Sequence, residues 1–151
     1  MGVRRIDHIG IVAPSWDEAR ALLVERFGLV VADDRGAGER GVYFPPERTM
    51  NYFLRVGEGE TLIEVLVPVD ASSGTARFLA KRGPGLHHIG YAVDDVRAEA
   101  ERLRAAGFTE IDIGRNADAA FFHPKSVLGI LTELVPAANP DARLHRPRAG
   151  R

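Results

Sequence analysis

The chain has no cysteine among its 151 residues. Disulfides and thiolate metal sites are therefore excluded, and any metal must be held by nitrogen or oxygen from His, Asp or Glu. Long apolar runs are also missing: no stretch approaches the roughly 20 residues that span a bilayer. The opening Met1-Gly2-Val3-Arg4-Arg5 carries no signal-peptide pattern, so the expectation is a cytoplasmic protein with no membrane partner. Nor is there an excess of either charge. Lys and Arg number 20 against 21 Asp and Glu, for a formal net charge of -1, which gives no electrostatic ground for nucleic acid as a partner. Lysine is scarce, with only Lys81 and Lys125 among the basic residues, and we read this as codon bias. What is present is a 45% share of hydrophobic residues, enough for one compact domain or for two small modules sharing a core.

The chain repeats itself. Ile6-Asp7-His8-Ile9-Gly10-Ile11-Val12-Ala13 and Leu86-His87-His88-Ile89-Gly90-Tyr91-Ala92-Val93 share a His-Ile-Gly core, and an amphipathic helix follows each. In the first half Ser15 is placed to cap a helix with Asp17 and Glu18 in its first turn; Ala19, Leu22, Leu23 and Phe27 form an apolar stripe, and Gly28 ends it. Strands are expected over 29–32, 41–44, 50–56 and 61–67, divided by Gly-rich and Pro-rich breaks. Ser72 or Ser73 caps a short connector helix that Gly83-Pro84-Gly85 closes. The second half repeats the order, with strand 86–93, a helix from Asp94-Asp95 through Val96, Ala100 and Leu103, and strands near 108–113, 119–123 and 129–135.

Each half reads β-α-β-β-β, an α+β class in which two units too small to fold alone pair their sheets. The expected division is a first module over 1–69, a connector over 70–85, a second module over 86–136 and a basic, disordered tail over 137–151.

Strand alternation places His8 with Gly10 on one face and His88 with Gly90 on the corresponding face of the other copy. The last strand of each half adds a second matched pair, Glu64 and Glu133, each alone in an apolar run shortly before a proline. A carboxylate in such surroundings needs a cation or strong donors. Two histidines and two glutamates at matched positions are what a divalent metal site on a pseudo-twofold axis requires; nitrogen and oxygen donors suit Co, Mn, Ni, Fe or Zn. His87 alternates to the opposite face and reads as structural or exposed. His123, at a strand end, reads as a cap or turn residue, His145 as solvated in the tail, and Trp16 and Phe121-Phe122 as packing.

Several segments together resemble the methylmalonyl-CoA epimerases of the vicinal oxygen chelate (glyoxalase/bleomycin resistance/dioxygenase) superfamily. They are Asp7-His8-Ile9-Gly10, Glu64 ahead of Val67-Pro68, Phe78-Leu79-Ala80-Lys81, Gly85-Leu86-His87-His88-Ile89, Val93-Asp94-Asp95-Val96, Phe122-His123-Pro124-Lys125-Ser126 and Gly129 through Glu133-Leu134. The resemblance runs over roughly residues 5 to 136. It implies an open, cupped, eight-stranded mixed sheet around one divalent metal, in a homodimer, with His8, Glu64, His88 and Glu133 at the family's ligand positions.

The implied chemistry is proton transfer alpha to a metal-chelated carbonyl of an acyl-CoA, through an enolate. The sequence departs from that pattern at one place: where these epimerases carry a glutamate base on the strand after Gly41-Val42, this chain has Tyr43-Phe44-Pro45-Pro46. Glu133, Tyr43, Glu39 and Glu47 are the candidates to replace it. The loop over 114–120 also departs, with an acidic residue and alanines where glycine and a basic residue are usual. The alternatives are another metalloenzyme of the superfamily, such as a glyoxalase-like isomerase, a lyase or an oxygenase, or a non-catalytic ligand-sequestering protein.

Overall fold

The computed structural model describes residues 2–35, 37–114 and 118–137; the tail over 138–151, His145 and positions 115–117 lie outside the described residues. The first half supplies β1 (Val3–Val12), a helix α1 (Trp16–Arg20) that widens into π-helical turns over Ala21–Arg26, then β2 (Val30–Val31), β3 (Val42–Phe44), β4 (Thr49–Arg55) and β5 (Leu62–Pro68). Helix α2 (Gly74–Arg82) leads to the second half: β6 (Gly85–Val93), α3 (Val96–Ala105), β7 (Glu110–Ile111), β8 (Ala120–Phe122) and β9 (Leu131–Pro136). The helix starts follow the capping chemistry: the side chains of Ser15, Ser73 and Asp95 accept from the backbone N–H of Glu18, Ala76 and Ala98.

All strands join one open mixed sheet in the order β2-β4-β5-β1-β6-β9-β8-β7, with β3 also on β4. Among the described residues it has nine strands, as many as the segments expected one by one, where the resemblance implies eight, and the difference has a local reason. β5 occupies one side of β4, so β2 (Val30 opposite Arg55) and β3 (Phe44 opposite Thr49) share the other. One edge strand has been cut in two by the segment between Ala32 and Gly41.

The helix stripe also differs from expectation. Ala19 is buried and Leu23 and Val24 pack against the core, but Leu22 is exposed and Phe27 is 76% exposed. The π-helical turns carry more residues per turn than an α-helix, so they shift the phase of every later position. Val24 takes the inward place that α-periodicity gave to Leu22 and Phe27. The trailing glycine keeps its expected role, since Gly28 sits at a φ of 91°.

The centre of the sheet explains the repeated tripeptide. β1 and β6 pair antiparallel with His8 opposite Gly90 and Gly10 opposite His88. On their outer sides β1 pairs parallel with β5, Gly10 beside Glu64, and β6 pairs parallel with β9, Gly90 beside Glu133. Two adjacent rows therefore cross the sheet: Glu64, Gly10 and His88 in one, His8, Gly90 and Glu133 in the other. Each glycine is the seat of the other half's histidine. A Cβ on Gly10 would lie 2.2 Å from Cε1 of His88, and one on Gly90 would lie 2.0 Å from Cε1 of His8.

Candidate metal centre

His8, Glu64, His88 and Glu133 come from the four central strands and meet at one buried point. His8 Nε2 lies 2.9 Å from His88 Nε2, 2.8 Å from Glu133 Oε2 and 3.1 Å from Glu64 Oε2. His88 Nε2 lies 3.2 Å from each of those two carboxylate oxygens. Donors held by bonds of about 2.1 Å sit about 3.0 Å apart at neighbouring vertices of an octahedron, and about 3.4 Å apart in a tetrahedron. The spacing and the donor types thus fit a six-coordinate divalent ion with positions left over, and this cluster is able to hold a metal.

The electrostatics are those of a site that seeks a cation. Burial alone would raise both glutamates, but His8 and His88 prevail: Glu133 is held down at about 2 and Glu64 well below the usual carboxylate range. Burial opposes a charged His88, yet its hydrogen bonds with Glu133 and Glu64 raise it to about 9. Two carboxylates at one buried point demand compensating positive charge.

The surroundings hold residues the strand pattern did not reveal. Asn51 on β4 donates from Nδ2 to Glu64 Oε1 at 2.9 Å and in turn accepts from Thr49 Oγ1 at 2.5 Å. This chain turns the other oxygen of Glu64 toward the histidines. An Asn and a Thr two residues apart on a strand are an ordinary sequence pair, and only the register of β4 on β5 brings them to Glu64. His87 is a correction. It does not leave by the opposite face: its Nδ1 stands 2.9 Å from His88 Nδ1 and its ring meets Phe78 edge-on. Burial lowers its imidazole to about 4, so it stays neutral near pH 7.

The replacement candidates separate cleanly. Tyr43 turns to the outer side of β3 and is 46% exposed. Glu39 accepts from Trp16 Nε1 and Arg20 Nε and is tied to α1. Glu47 lines the same cavity as Val42, Phe44, Phe121, Glu64 and Glu133, with a carboxylate oxygen within 4.8 Å of nitrogens on His87 and His88. The turn between β3 and β4 puts it there. Arg48 is in the left-handed region at a φ of 52° and donates to Pro45 O, while its guanidinium holds Asp70 at 3.0 Å and Ser72 at 2.9 Å. Burial, with help from Glu64 and Glu133, raises the Glu47 carboxyl to about 8 against the opposing pull of His88 and His8.

Phe121 covers the cavity wall beside His88, Phe122 packs on the other face against Phe108, and Trp16 stacks on Tyr52 with centroids 4.2 Å apart. His123 accepts from Lys125 N to cap the turn at Pro124–Ser126. It also lines a groove of about 580 Å³ that shares Glu47, His87 and Phe121 with the site.

The Glyoxalase/Bleomycin resistance protein/Dioxygenase superfamily profile matches residues 7–122. The chain belongs to that superfamily. Among its relatives, the mitochondrial methylmalonyl-CoA epimerase of Dictyostelium discoideum is 32% identical over 140 residues, 89% of this chain and 79% of that protein. The ethylmalonyl-CoA/methylmalonyl-CoA epimerase of Cereibacter sphaeroides is 30% identical, across 87% of this chain and 97% of its own. A methylmalonyl-CoA epimerase variant from Streptomyces coelicolor, solved in complex with 2-nitronate-propionyl-CoA, superposes with a TM-score of 0.77 at 27% identity over 90% of this chain and 99% of that one. The Mycobacterium tuberculosis epimerase gives 0.72 at 31% identity over 89% of each chain. This superfamily member has the open mixed sheet of its relatives, and no helix among its described residues is long and apolar enough to cross a membrane.

Proposed function

We propose that this protein is a divalent-metal-dependent epimerase acting on methylmalonyl-CoA or a related 2-substituted malonyl-CoA, with His8, Glu64, His88 and Glu133 as metal ligands and Glu47 as the proton-transferring base. The observation that carries the reading is the meeting of four donors at octahedral spacing with a fifth, separately positioned carboxylate lining the same cavity. Likeness to epimerases, some solved with acyl-CoA ligands, supports the substrate class. A divalent ion in this cluster supplies charge that lowers the cost of developing an oxyanion next to the reacting carbon, typically several kcal/mol.

The chain's own residues do the rest. Phe44, Phe121 and Val42 exclude water around Glu47. Glu47, held high by burial, is near the pH at which a carboxyl both takes and returns protons efficiently. Inversion needs a second group for the opposite face of the carbon, and Glu133, supplied by the other half, lines the same cavity. The groove that shares Glu47 and Phe121 is of a size that holds small ligands, and we assign it the remainder of the thioester.

Two measurements test the reading. Protein stripped with chelator should bind Co or Mn and gain thermal stability that rises with the logarithm of metal concentration above the dissociation constant; no binding and no shift would remove the metal. Metal-loaded protein in deuterium oxide should then exchange the C2 proton of methylmalonyl-CoA, followed by NMR. A metal-binding protein that admits no deuterium there is a different enzyme of the superfamily or a sequestering protein.

Asn51→Leu offers a narrower expectation. It leaves Glu64 Oε1 without its donor, and losing an outer partner of a ligand typically costs 10- to 100-fold in metal affinity. Titration calorimetry with Co on the variant and its parent checks this.

A further inference from the structure

The pairing of β1 with β6 contains three irregularities, one near its end between Val3 and Arg5 and two that flank the site. Between Ile6 (opposite Tyr91) and His8 (opposite Gly90), β1 has one residue more than its partner; between Gly10 (opposite His88) and Ile11 (opposite Leu86), the extra residue is on β6. Those extra residues are Asp7 and His87. Each stands immediately before a site histidine, and the two bulges are related by the same pseudo-twofold as the halves. A bulge breaks the strict alternation of a strand and re-aims its side chain. Here the re-aimed side chains do one thing: Asp7 Oδ2 reaches His8 Nδ1 at 3.0 Å, and His87 Nδ1 reaches His88 Nδ1 at 2.9 Å.

We infer that Asp7 and His87 are paired positioning residues that fix the ring orientation and tautomer of the two histidine ligands. The inference rests on the proposed metal centre. A histidine that offers Nε2 to a metal carries its proton on Nδ1, and that N–H must be received by an acceptor if it is buried. Asp7 supplies a carboxylate, itself held by Arg5 Nη2 at 3.5 Å and Arg35 Nη1 at 3.9 Å. His87 supplies a neutral ring nitrogen, and the edge-on contact with Phe78 of α2, 4.9 Å between centroids, holds that ring in place.

The two halves thus give matched ligands unmatched acceptors. His8 is backed by an anion and is the more electron-rich donor. His88 is backed by a neutral ring and is the weaker one. The asymmetry is visible in the repeat itself, Asp7-His8 against His87-His88.

The test is made on His87, because Asp7 also pairs with Arg5 and Arg35 and its removal would disturb more than the histidine. His87→Phe keeps the ring and its packing on Phe78 but has no acceptor. It should weaken cobalt binding by about 10- to 100-fold, the range for a lost outer partner. Nitrogen-15 NMR of the zinc-loaded variant should also show the His88 Nδ1–H resonance displaced, because that N–H has lost its acceptor. His87→Asn should restore both, because Asp7, with a side chain of the same length, already reaches the equivalent nitrogen from the equivalent bulge.

A merely structural role for His87 predicts the opposite order, with Phe well tolerated and Asn damaging. Parent protein that binds cobalt, with His87→Phe matching it in affinity and in the His88 Nδ1–H resonance, overturns this inference and leaves the metal centre standing. Parent protein that binds no cobalt overturns both.

Discussion

Glu47→Gln should reduce C2 deuterium exchange of methylmalonyl-CoA by about 10²- to 10⁴-fold, the usual contribution of a positioned base, while cobalt affinity stays at the parent value. Glutamine keeps the volume and the hydrogen-bonding reach of glutamate but cannot take a proton. The expectation follows from the turn between β3 and β4. Phe44 occupies the strand position and has no proton chemistry, so the carboxylate must enter from the loop. Pro45 and Pro46 restrict the backbone, and Arg48, clamped to Asp70 and Ser72, closes the turn so that Glu47 is delivered back over the cavity. Exchange at the parent rate in Glu47→Gln would transfer the base to Glu133. The two outcomes are separable because substitution of Glu133 must also alter metal binding, whereas substitution of Glu47 must not.

The second large effect is expected at a residue that carries no chemistry. Gly90→Ala should abolish measurable cobalt binding while the protein stays folded. The backbone at Gly90 is not in the left-handed region, so alanine is conformationally acceptable there. What it meets is His8, with Cε1 at 2.0 Å, Nδ1 at 2.4 Å and Nε2 at 2.6 Å from the new carbon. The ring is fully buried, and Asp7 holds its far nitrogen. Overpacking of this kind typically costs about 1–3 kcal/mol in stability. That lowers the unfolding midpoint without unfolding the chain, and it displaces one of the four proposed ligands. Urea unfolding monitored alongside calorimetric cobalt titration distinguishes the outcomes: binding within a few-fold of the parent would mean that the His8 seat is not needed. Gly10→Ala should act in the same way on His88, with Cε1 at 2.2 Å.

How far the sequence discloses this arrangement depends on what kind of interaction fixes each part. The repeated β-α-β-β-β order is legible because alternation, capping serines and aspartates, and Gly or Pro breaks are local signals. The matched pairs His8 with His88 and Glu64 with Glu133 are legible for a different reason: polar residues in apolar strands stand out, and repetition in register makes coincidence implausible.

What was not legible depends on register and on helix phase. A single π-helical stretch over Ala21–Arg26 moved Phe27 from the expected core face into solvent, and no propensity in those six residues marks it. Strict alternation sent His87 away from the site, and the bulge at that residue brings it back. Asn51 reaches Glu64 only through the β4–β5 pairing, where Phe53 rather than Asn51 is the residue directly opposite. Glu47 was one of several candidates in the sequence, and the choice among them came from a turn whose shape depends on Asp70 and Ser72, more than twenty residues further on.

The reciprocal seating of each histidine on the other half's glycine has a consequence for the history of the chain. In a duplicated module whose copies were independent, one copy would be free to change as long as the other kept its role. Here Gly10 can be replaced only if His88 gives way, and Gly90 only if His8 does. A change in one copy is therefore judged in the other. The two copies are free to drift at their helices, loops and edge strands, as the split edge strand and the different acceptors before each histidine show, but they are bound to inherit these two crossed pairs together.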